Sequence, residues 1–304
     1  MTQFQGADAP TFATFPTFLG LDRRARDAAH VVAGIPLDVG VTNRAGTRSG
    51  PAAIRVASRM LAGNHHPHYR VMVDDMDLAD AGDFAIALGD LPGSLALIEA
   101  QAAQIGHLVA LGGEHGITLP LLRALAKARG GPVGLVHFDA HADTWAENFG
   151  QVYSHGSVFY HALNEGLVDP RRMIQIGIRS PLLNEAHDWT LAQGVTILSA
   201  QDVHEQGVDR VAERIRAVAG TGATYLSFDI DCLDPAFAPG TGTPEIGGLA
   251  SWQAQALLRR LGGIDFVGMD LVEVAPAYDV SEITALAGAT MVWEYLALLA
   301  SQGR

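Results

Sequence analysis

The length, composition and charge of this chain exclude several classes of protein. Its 304 residues, 48% hydrophobic and 17% charged, are enough to bury a large core and are unlike a disordered segment. The 20 basic and 33 acidic side chains give a net charge of −13, which argues against nucleic acid and anionic membranes as partners. The single cysteine, Cys232, excludes an internal disulfide framework and a cysteine-based zinc finger.

The first part of the chain, residues 1–25, predicts an N-terminal arm that lies on the body of the fold or on a neighbouring subunit. It contains a series of proline and aromatic residues, Pro10, Phe12, Phe15, Pro16 and Phe18. The first twenty residues hold no Lys or Arg, so the basic start of a secretory signal is missing. No continuous apolar run approaches the ~18 residues of a bilayer span. We therefore expect a cytoplasmic protein.

Short apolar runs alternate with helical patterns along the chain, which predicts an α/β protein with a mainly parallel sheet. Strands are expected over residues 31–35, 107–111, 133–138, 173–178, 195–198, 224–230 and 266–274. Helices are expected from Pro51 to Leu61 and over residues 93–105, 119–128, 184–193, 207–219, 251–261 and 282–301. Because we find no internal repeat and no charged linker, we expect residues 1–304 to form a single domain.

Acidic and histidine side chains follow three of the predicted strands. They are His115, Asp139, His141, Asp143, Asp229 and Asp231. Five of them form the motifs D-A-H-A-D and D-I-D, and alternate positions of an extended chain project to one side. The histidine in G-G-E-H follows two glycines, where the backbone can approach closely. Ligands of α/β sheets bind beyond the carboxyl ends of the strands, so we expect all six side chains to meet there.

Four carboxylates and two imidazoles suit a pair of divalent cations, especially Mn²⁺, without the thiolates that favour zinc or copper. Unpaired carboxylates at this density would repel one another, so a dication is the natural compensation. Two cations about 3.5–4 Å apart would share a hydroxide that is nucleophilic near neutral pH. A lone D-x-D is more often a turn or a solvated strand end, but three motifs together make that interpretation weak.

With these blocks the sequence resembles the ureohydrolases, the arginase and agmatinase family, and most closely its agmatinase branch. The similarity extends from Gly34-Ile35-Pro36 to the last predicted helix. Its main blocks are G-G-E-H at 112–115, F-D-A-H-A-D-T at 138–144, S-H-G-S at 154–157, S-F-D-I-D-C-L-D-P at 227–235, A-P-G-T-G-T-P-E-I-G-G at 238–248 and D-L-V-E-V-A-P-A-Y-D at 270–279. The resemblance implies the three-layer α/β/α arginase-like fold around a parallel sheet.

The resemblance also implies two Mn²⁺ per subunit, held by the six residues above. Asp139 and Asp229 would bridge the two ions. One ion would be completed by His115 and Asp143, and the other by a second pair, His141 and Asp231. This sequence departs from the family's pattern beside the ligand His115, where it has Glu114 and the family usually has aspartate.

Three further residues acquire roles from the resemblance. His155 matches the proton shuttle, Glu273 the carboxylate that holds the guanidinium, and Thr243 a hydroxyl near the substrate. Together with the ligand Asp143, His155 and Glu273 are the implied catalytic residues. These roles are chemically reasonable, because a carboxylate accepts two N–H groups of a planar guanidinium and histidine can donate a proton near neutral pH.

The resemblance favours agmatine as the substrate, cleaved to putrescine and urea by the metal-bridging hydroxide. The rival is 4-guanidinobutyrate or another ω-guanidino acid, because T-P-E-I-G-G with Glu245 also occurs among such relatives. An ω-carboxylate requires a basic partner at the mouth, whereas the ammonium of agmatine requires an acidic or carbonyl-lined one. The predicted mouth loop, residues 144–161, contains Glu147 and no Lys or Arg, which favours the cationic substrate. Relatives also imply a homo-oligomer, a trimer or a hexamer.

Two other classes of function remain as alternatives. A cysteine-dependent guanidine hydrolase would use Cys232 and need no metal. A non-catalytic homologue would be expected to have lost metal ligands, yet all six are present. Strand alternation is expected to turn Cys232 away from the neighbouring Asp231, as a buried inert thiol.

Several other residues are expected to have structural roles only. The tract His65-His66-Pro67-His68 is expected to be an exposed polar loop and not a metal site, because it has no carboxylates nearby in sequence. Trp252, Trp293 and Tyr295, on predicted helices, are expected in the core or at a subunit contact.

Overall fold

The computed structural model describes Thr11 and residues 15–304. Much of the expected N-terminal arm, with Pro10 and Phe12, therefore lies outside the described residues. Of the described part, Phe15 is exposed, whereas Phe18 is fully buried in the main core. The backbone N–H of Phe18 donates to Asp80 at 2.7 Å, so this end of the arm is fastened to the body of the fold.

The described residues contain one eight-stranded sheet in which all strands are parallel. In chain order the strands are β1 (His30–Ile35), β2 (Leu78–Asp83), β3 (Leu108–Gly112), β4 (Val133–Phe138), β5 (Val168–Ile178), β6 (Thr196–Ser199), β7 (Thr224–Asp229) and β8 (Phe266–Val272). Their spatial order is β2-β1-β3-β8-β7-β4-β5-β6. The four central strands are therefore β3, β8, β7 and β4.

Helices cover both faces of this sheet. They are α1 (Gly50–Ser58), α2 (Leu91–Ala102), α3 (Thr118–Arg129), α4 (Val158–Asn164), α5 (Asn184–Gln193), α6 (Ala200–Ala219), α7 (Ser251–Leu258) and α8 (Ile283–Ser301). One core cluster contains Ile54 of α1, Val211 of α6 and Leu296 of α8. Others, on the opposite face, contain Ile98 of α2 and Phe159 of α4. The predicted three-layer α/β/α arrangement is confirmed.

The sheet is buried on both faces, which explains why its strands are visible in the sequence as continuous apolar runs. Every residue of β1, β3, β4, β7 and β8 is buried. Parallel strands covered by helices on both sides are expected to be apolar throughout and not to alternate. Because the strands are parallel, the residues that follow them lie together at one edge of the sheet, the edge formed by the carboxyl ends of the strands.

Two elements were not predicted. Strand β2 has the sequence L-A-D-A-G-D, and its two aspartates and glycine conceal a strand at the edge of the sheet. Helix α4 begins inside the segment that we predicted as the mouth loop, residues 144–161, and continues beyond it to Asn164. Helix α6 begins at Ala200, earlier than predicted, because the backbone bends at Gly207 (φ 79°) and joins two helical pieces.

Helix α8, 19 residues long, has the length and apolar composition of a membrane span, alone among the helices of the described residues. However, 72% of its 18-residue apolar window is buried inside the protein. Trp293 and Tyr295 of this helix are buried as predicted. The apolar composition of α8 is thus that of a core helix.

The histidine tract at residues 65–68 differs from the prediction. His65 and His68 are exposed, but His66 is fully buried, so the expectation of an exposed loop is wrong for this residue. Its Nε2 lies 2.9 Å from Glu294 of α8, and its ring packs against Trp293. Glu294 comes 228 residues later in the chain, which is why the local sequence did not reveal the pairing. Trp252 is 60% exposed and so does not belong to the core.

Candidate metal centre and active site

The carboxyl ends of the four central strands bring the predicted site residues to one edge of the sheet. His115 follows β3, the D-A-H-A-D motif follows β4, the D-I-D motif ends β7, and Glu273 follows β8 directly. Because these strands are hydrogen-bonded neighbours, residues that are separated by up to about 160 positions meet there. The convergence expected from parallel-sheet geometry is therefore present.

The first group of side chains surrounds His115. Its Nδ1 atom lies 3.1 Å from Asp139 Oδ2, 3.0 Å from Asp143 Oδ2 and 3.2 Å from Asp229 Oδ2. The His115 side chain is fully buried, and the three carboxylates are at most 6% exposed. An imidazole nitrogen and three carboxylate oxygens thus point at one small region.

A second group shares Asp139 with the first. His141 Nδ1 lies 3.3 Å from Asp139 Oδ1 and 3.1 Å from Asp231 Oδ2. The two oxygens of Asp139 therefore face different histidines, as expected for a carboxylate between two cations. Asp229, which belongs to the first group, accepts from the backbone N–H of Asp231 through its Oδ1 at 2.9 Å, so the two groups are neighbours.

The site side chains converge because the chain turns after each strand. Our prediction that they would converge by alternation along an extended chain is wrong. Strand β4 ends at Phe138, before the motif, and Asp143 has the left-handed φ of 52°. Asp231 lies in a 3-10 turn over Ile230–Cys232. Glu273 also has a positive φ, 64°. A non-glycine residue in this region is strained and is found mainly where a site over-determines its backbone.

The electrostatics of the two groups indicate that a cation belongs between them. Burial and the charges of Asp231 and Asp139 raise the pKa of Asp229 well above its ordinary value. Burial lowers the pKa of His115, but its interactions with the surrounding carboxylates outweigh burial and raise this pKa well above the usual range. His115 Nδ1 is buried against three carboxylate oxygens and has no hydrogen-bond partner of acceptable geometry. The donor set fits divalent cations.

The ring of His115 is oriented by residues that sequence reasoning missed. Its Nε2 lies 2.9 Å from Ser227 Oγ, and the Ser227 hydroxyl donates to Asp270 Oδ1 at 2.7 Å. Asp270 is fully buried and also accepts from Thr118 Oγ1 and Tyr225 OH. Since the Ser227 proton is committed to Asp270, the network assigns the imidazole proton to Nε2 and leaves Nδ1 free to bind a metal.

His137 also lies beside the centre, and its network gives it a different function. Its Nε2 is 2.8 Å from Asp139 Oδ2, and His115, His137 and Asp139 lie close enough together to hold a metal ion. However, Gln175 Nε2 donates to His137 Nδ1 at 3.1 Å, so the ring proton is on Nε2 and is donated to Asp139. We therefore treat His137 as a support of Asp139 and not as a metal ligand.

The residues predicted to hold the substrate lie against the metal centre. The Glu273 carboxylate is 2% exposed, accepts from the backbone N–H of His115 at 2.7 Å, and has a pKa that burial raises well above its ordinary value. His155 Nδ1 lies 3.7 Å from Glu273 Oε1, and burial lowers the pKa of His155. Thr243 Oγ1 donates to Asp231 Oδ2 at 3.4 Å. All three side chains therefore border one space.

Glu114, the departure in the G-G-E-H motif, turns away from the metal centre. Its Oε2 accepts from the backbone N–H of Gly40 at 2.6 Å, and burial raises the pKa of its carboxyl to about 7.

Cys232 is buried as predicted, and burial raises the pKa of its thiol well above the ordinary value. A buried thiol of raised pKa is a poor nucleophile near neutral pH, which argues against cysteine-dependent hydrolysis.

Known proteins resemble this chain over nearly its whole length. The arginase family matches residues 28–297. A guanidinopropionase of Pseudomonas aeruginosa is 46% identical over 302 residues, which cover 97% of this chain and 94% of that protein. An agmatinase of Proteus mirabilis is 46% identical over 297 residues, covering 96% and 93% of the two chains.

Solved structures show the same relationship. The crystal structure of a hypothetical agmatinase from Burkholderia thailandensis superposes with a TM-score of 0.92 at 41% identity, covering 99% of this chain and 95% of that chain. The predicted resemblance to ureohydrolases is thereby confirmed. With this fold and these relatives, the chain belongs to the arginase family of ureohydrolases.

Proposed function

We propose that this enzyme hydrolyses the guanidinium group of a small linear substrate, with agmatine first, to urea and a primary amine, in that case putrescine. The observation that carries the proposal is the convergence of three carboxylates on His115 Nδ1, with Glu273 hydrogen-bonded to the backbone of the same residue. The proposed metal ligand His115 and the proposed guanidinium-binding carboxylate of Glu273 are therefore in contact at one edge of the sheet.

Two Mn²⁺ ions are the proposed cofactors. The arginase family is binuclear and metal-dependent, and the donor set of oxygens and imidazoles suits manganese. The residues that would hold the two ions are Asp139, Asp229, His115, Asp143, His141 and Asp231. When bound, the two ions lower the pKa of a shared water and supply a hydroxide nucleophile near neutral pH.

Glu273 would receive the guanidinium, because its buried carboxylate can accept two parallel N–H bonds from the planar fork. Its contact with the backbone of His115 fixes the carboxylate relative to the metal ligands, so the guanidine carbon is positioned by the protein. His155 would donate a proton to the departing amine nitrogen, and Thr243 would supply a hydroxyl to the substrate.

We also propose that the chain forms one catalytic domain, that it assembles as a homo-oligomer and that it is located in the cytoplasm.

A cleft beside the proposed active site favours a substrate whose tail carries a positive charge. A cleft of about 650 Å³ is lined by residues 39–42 and 89–92 and by Asn148, Phe149 and Gln151. Thr42 in its wall contacts His155. Among the described residues that line it, Asp90 is the charged one. Asp90 caps α2 through a hydrogen bond from Gly93 and has an exposed carboxylate. An acidic wall without a basic residue supports agmatine, whose tail is an ammonium.

A specific observation favours a second candidate, an ω-guanidino acid. Arg44 lies over the ring of Tyr278 at 5.1 Å and forms no ion pair with the residues that the structure describes. Its neighbour Asn43 donates to the carbonyl of Gly242 at 2.8 Å, which places Arg44 beside the loop of Thr243. An unpaired guanidinium at this position could bind a substrate carboxylate, and one relative is named guanidinopropionase.

Urea release from agmatine, 4-guanidinobutyrate and 3-guanidinopropionate tests both candidates with a matched pair of variants. Asp90→Asn keeps an N-cap residue but removes the charge, and Arg44→Gln keeps a polar side chain. For an agmatinase, we expect Asp90→Asn to raise the KM for agmatine about tenfold and Arg44→Gln to leave it unchanged. A wild-type preference for either acid, lost in Arg44→Gln, would establish the second candidate.

The metal requirement is tested separately. Chelation should abolish urea release and Mn²⁺ should restore it, with close to two equivalents bound per subunit by elemental analysis. Cys232→Ser should remain active. Activity that survives complete removal of metal would refute the proposed mechanism.

A further inference from the structure

We propose that Thr42 is a positioning residue that orients the imidazole of His155, and that Glu114 anchors the backbone segment carrying it. The inference rests on the proposed function, in which His155 donates a proton to the leaving amine. We call residues 37–43 the anchored loop, because the two ends of the segment are bonded to different parts of the site.

Glu114 holds the first half of the anchored loop through both its side chain and its backbone, and Gly113 packs against the same segment. Gly40 N–H donates to Glu114 Oε2 at 2.6 Å, and the N–H of Glu114 donates to Leu37 O at 2.8 Å. A Cβ on Gly113 would lie 2.4 Å from Leu37 O, so the loop packs directly on the backbone before the metal ligand. The Glu114 side chain is fully buried, and aspartate, one methylene shorter, would have a shorter reach.

The packing around Gly40 leaves no space for a side chain at that position. A Cβ there would lie 2.6 Å from Glu114 Oε1. The carboxylate and the loop are therefore in direct contact. Glu114 is thus used to hold the loop, although it stands beside a metal ligand in the sequence.

The second half of the anchored loop contacts the catalytic side chains. Thr42 Oγ1 lies 2.8 Å from His155 Nε2. The backbone N–H of His155 donates to Gly40 O at 3.5 Å, and Asn43 Nδ2 donates to Gly242 O at 2.8 Å. The loop therefore connects the turn that carries His155 to the segment that carries Thr243.

This arrangement leaves one nitrogen of His155 for the substrate. Nε2 is occupied by Thr42, whereas Nδ1 faces Glu273 at 3.7 Å, beyond a good hydrogen bond. The Thr42 hydroxyl holds the direction of the ring, so that Nδ1 faces Glu273. Without that hydroxyl the ring would be free to turn, and proton transfer would lose its alignment.

The first test replaces the hydroxyl of Thr42 and keeps its shape. We expect Thr42→Val to lower kcat about tenfold with a KM within about twofold of wild type, and to move the pH midpoint of kcat by about half a unit or more. Thr42→Ser should restore both values. Thr221→Val, at an exposed threonine before β7 and so at the opposite edge of the sheet, is the matched control and should match wild type.

The second test separates the anchor from the metal ligand beside it. Glu114→Gln retains a carbonyl acceptor for Gly40 N–H and should keep most of the wild-type kcat, whereas Glu114→Ala should lower kcat about tenfold with bound Mn²⁺ unchanged. Loss of Mn²⁺ in proportion to activity would overturn the anchoring role, because the effect would then act through His115. A Thr42→Val enzyme with wild-type kcat and pH profile would overturn the positioning role. Wild-type protein that releases no urea from any guanidino substrate would instead refute the proposed function.

Discussion

The hydrogen-bond chain behind His115 makes a quantitative prediction about metal affinity. His115 Nε2 contacts Ser227 Oγ at 2.9 Å, and Ser227 donates to the buried Asp270 at 2.7 Å. In Ser227→Ala the buried Nε2–H would lose its acceptor, which costs about 1–3 kcal/mol. The ring can avoid that cost by moving its proton to Nδ1, the nitrogen that faces three carboxylates. That tautomer cannot bind a metal.

We therefore expect Ser227→Ala to weaken metal binding by about 10–100-fold, the range found when partners of metal-bound histidines are removed. This corresponds to about 1.4–2.8 kcal/mol. Calorimetric titration of the chelator-stripped enzyme with Mn²⁺ measures it directly. Urea release at saturating Mn²⁺ should remain within about threefold of wild type, because Ser227 is behind the ligand and away from the substrate.

Thr118→Val is the matched control for this prediction. Thr118 Oγ1 donates to the same carboxylate, Asp270 Oδ2, at 2.7 Å but does not contact the imidazole of His115 in the described hydrogen bonds. We expect it to lower the free energy of unfolding by about 1–3 kcal/mol with metal affinity nearly unchanged. Equal losses of affinity in the two variants, or no loss in Ser227→Ala, would refute the tautomer argument.

Three further predictions concern Glu273, Asp80 and His107. Glu273→Gln should lower kcat/KM by about 10²–10³-fold with bound Mn²⁺ retained, because the amide oxygen can still accept from His115 N–H but cannot accept both guanidinium bonds as an anion. Asp80→Asn should lower the free energy of unfolding in urea by about 3–5 kcal/mol, since it leaves the buried guanidinium of Arg55 without its main partner. Burial lowers the pKa of His107 from 6.5 to about 3. Between these pH values the unfolded chain binds a proton on this histidine and the folded chain does not, so the free energy of unfolding decreases as the pH falls below about 6.5. His107→Gln should reduce this slope between pH 7 and 5, by up to about 1.4 kcal/mol per pH unit, in denaturation curves; an unchanged slope would refute the assignment.

Much of the fold was predictable because its sheet is buried on both faces. Continuous apolar strands such as β4 and β7 are visible without any structural information, and side chains that follow parallel strands must share an edge. Strand β2 was not predictable in this way, since Asp80 and Asp83 interrupt its apolar pattern. Both aspartates pair with Arg55 on α1, a partner that periodicity does not reveal.

The residues that support the site were less accessible to sequence reasoning than those that form it. A ligand set is recognisable from chemistry and spacing, as in D-A-H-A-D. By contrast, Ser227 and Thr118 are ordinary residues whose functions depend on Asp270, and Asp270 is 43 residues from one and 152 from the other. Such contacts depend on the strand order, which places β8 between β3 and β7. That order cannot be obtained from the spacing of motifs.

The charge of the substrate's tail is the clearest case in which local sequence was insufficient. The mouth loop predicted from the sequence, residues 144–161, contains Glu147 and no Lys or Arg. In the folded chain two earlier segments also border the site, one contributing Asp90 and the other Arg44. They carry opposite charges, so the net charge of any one loop does not determine specificity. If Glu273 holds the guanidinium as proposed, we expect specificity to depend on whether the tail extends towards the cleft of Asp90 or towards Arg44. The Asp90→Asn and Arg44→Gln pair measures that direction.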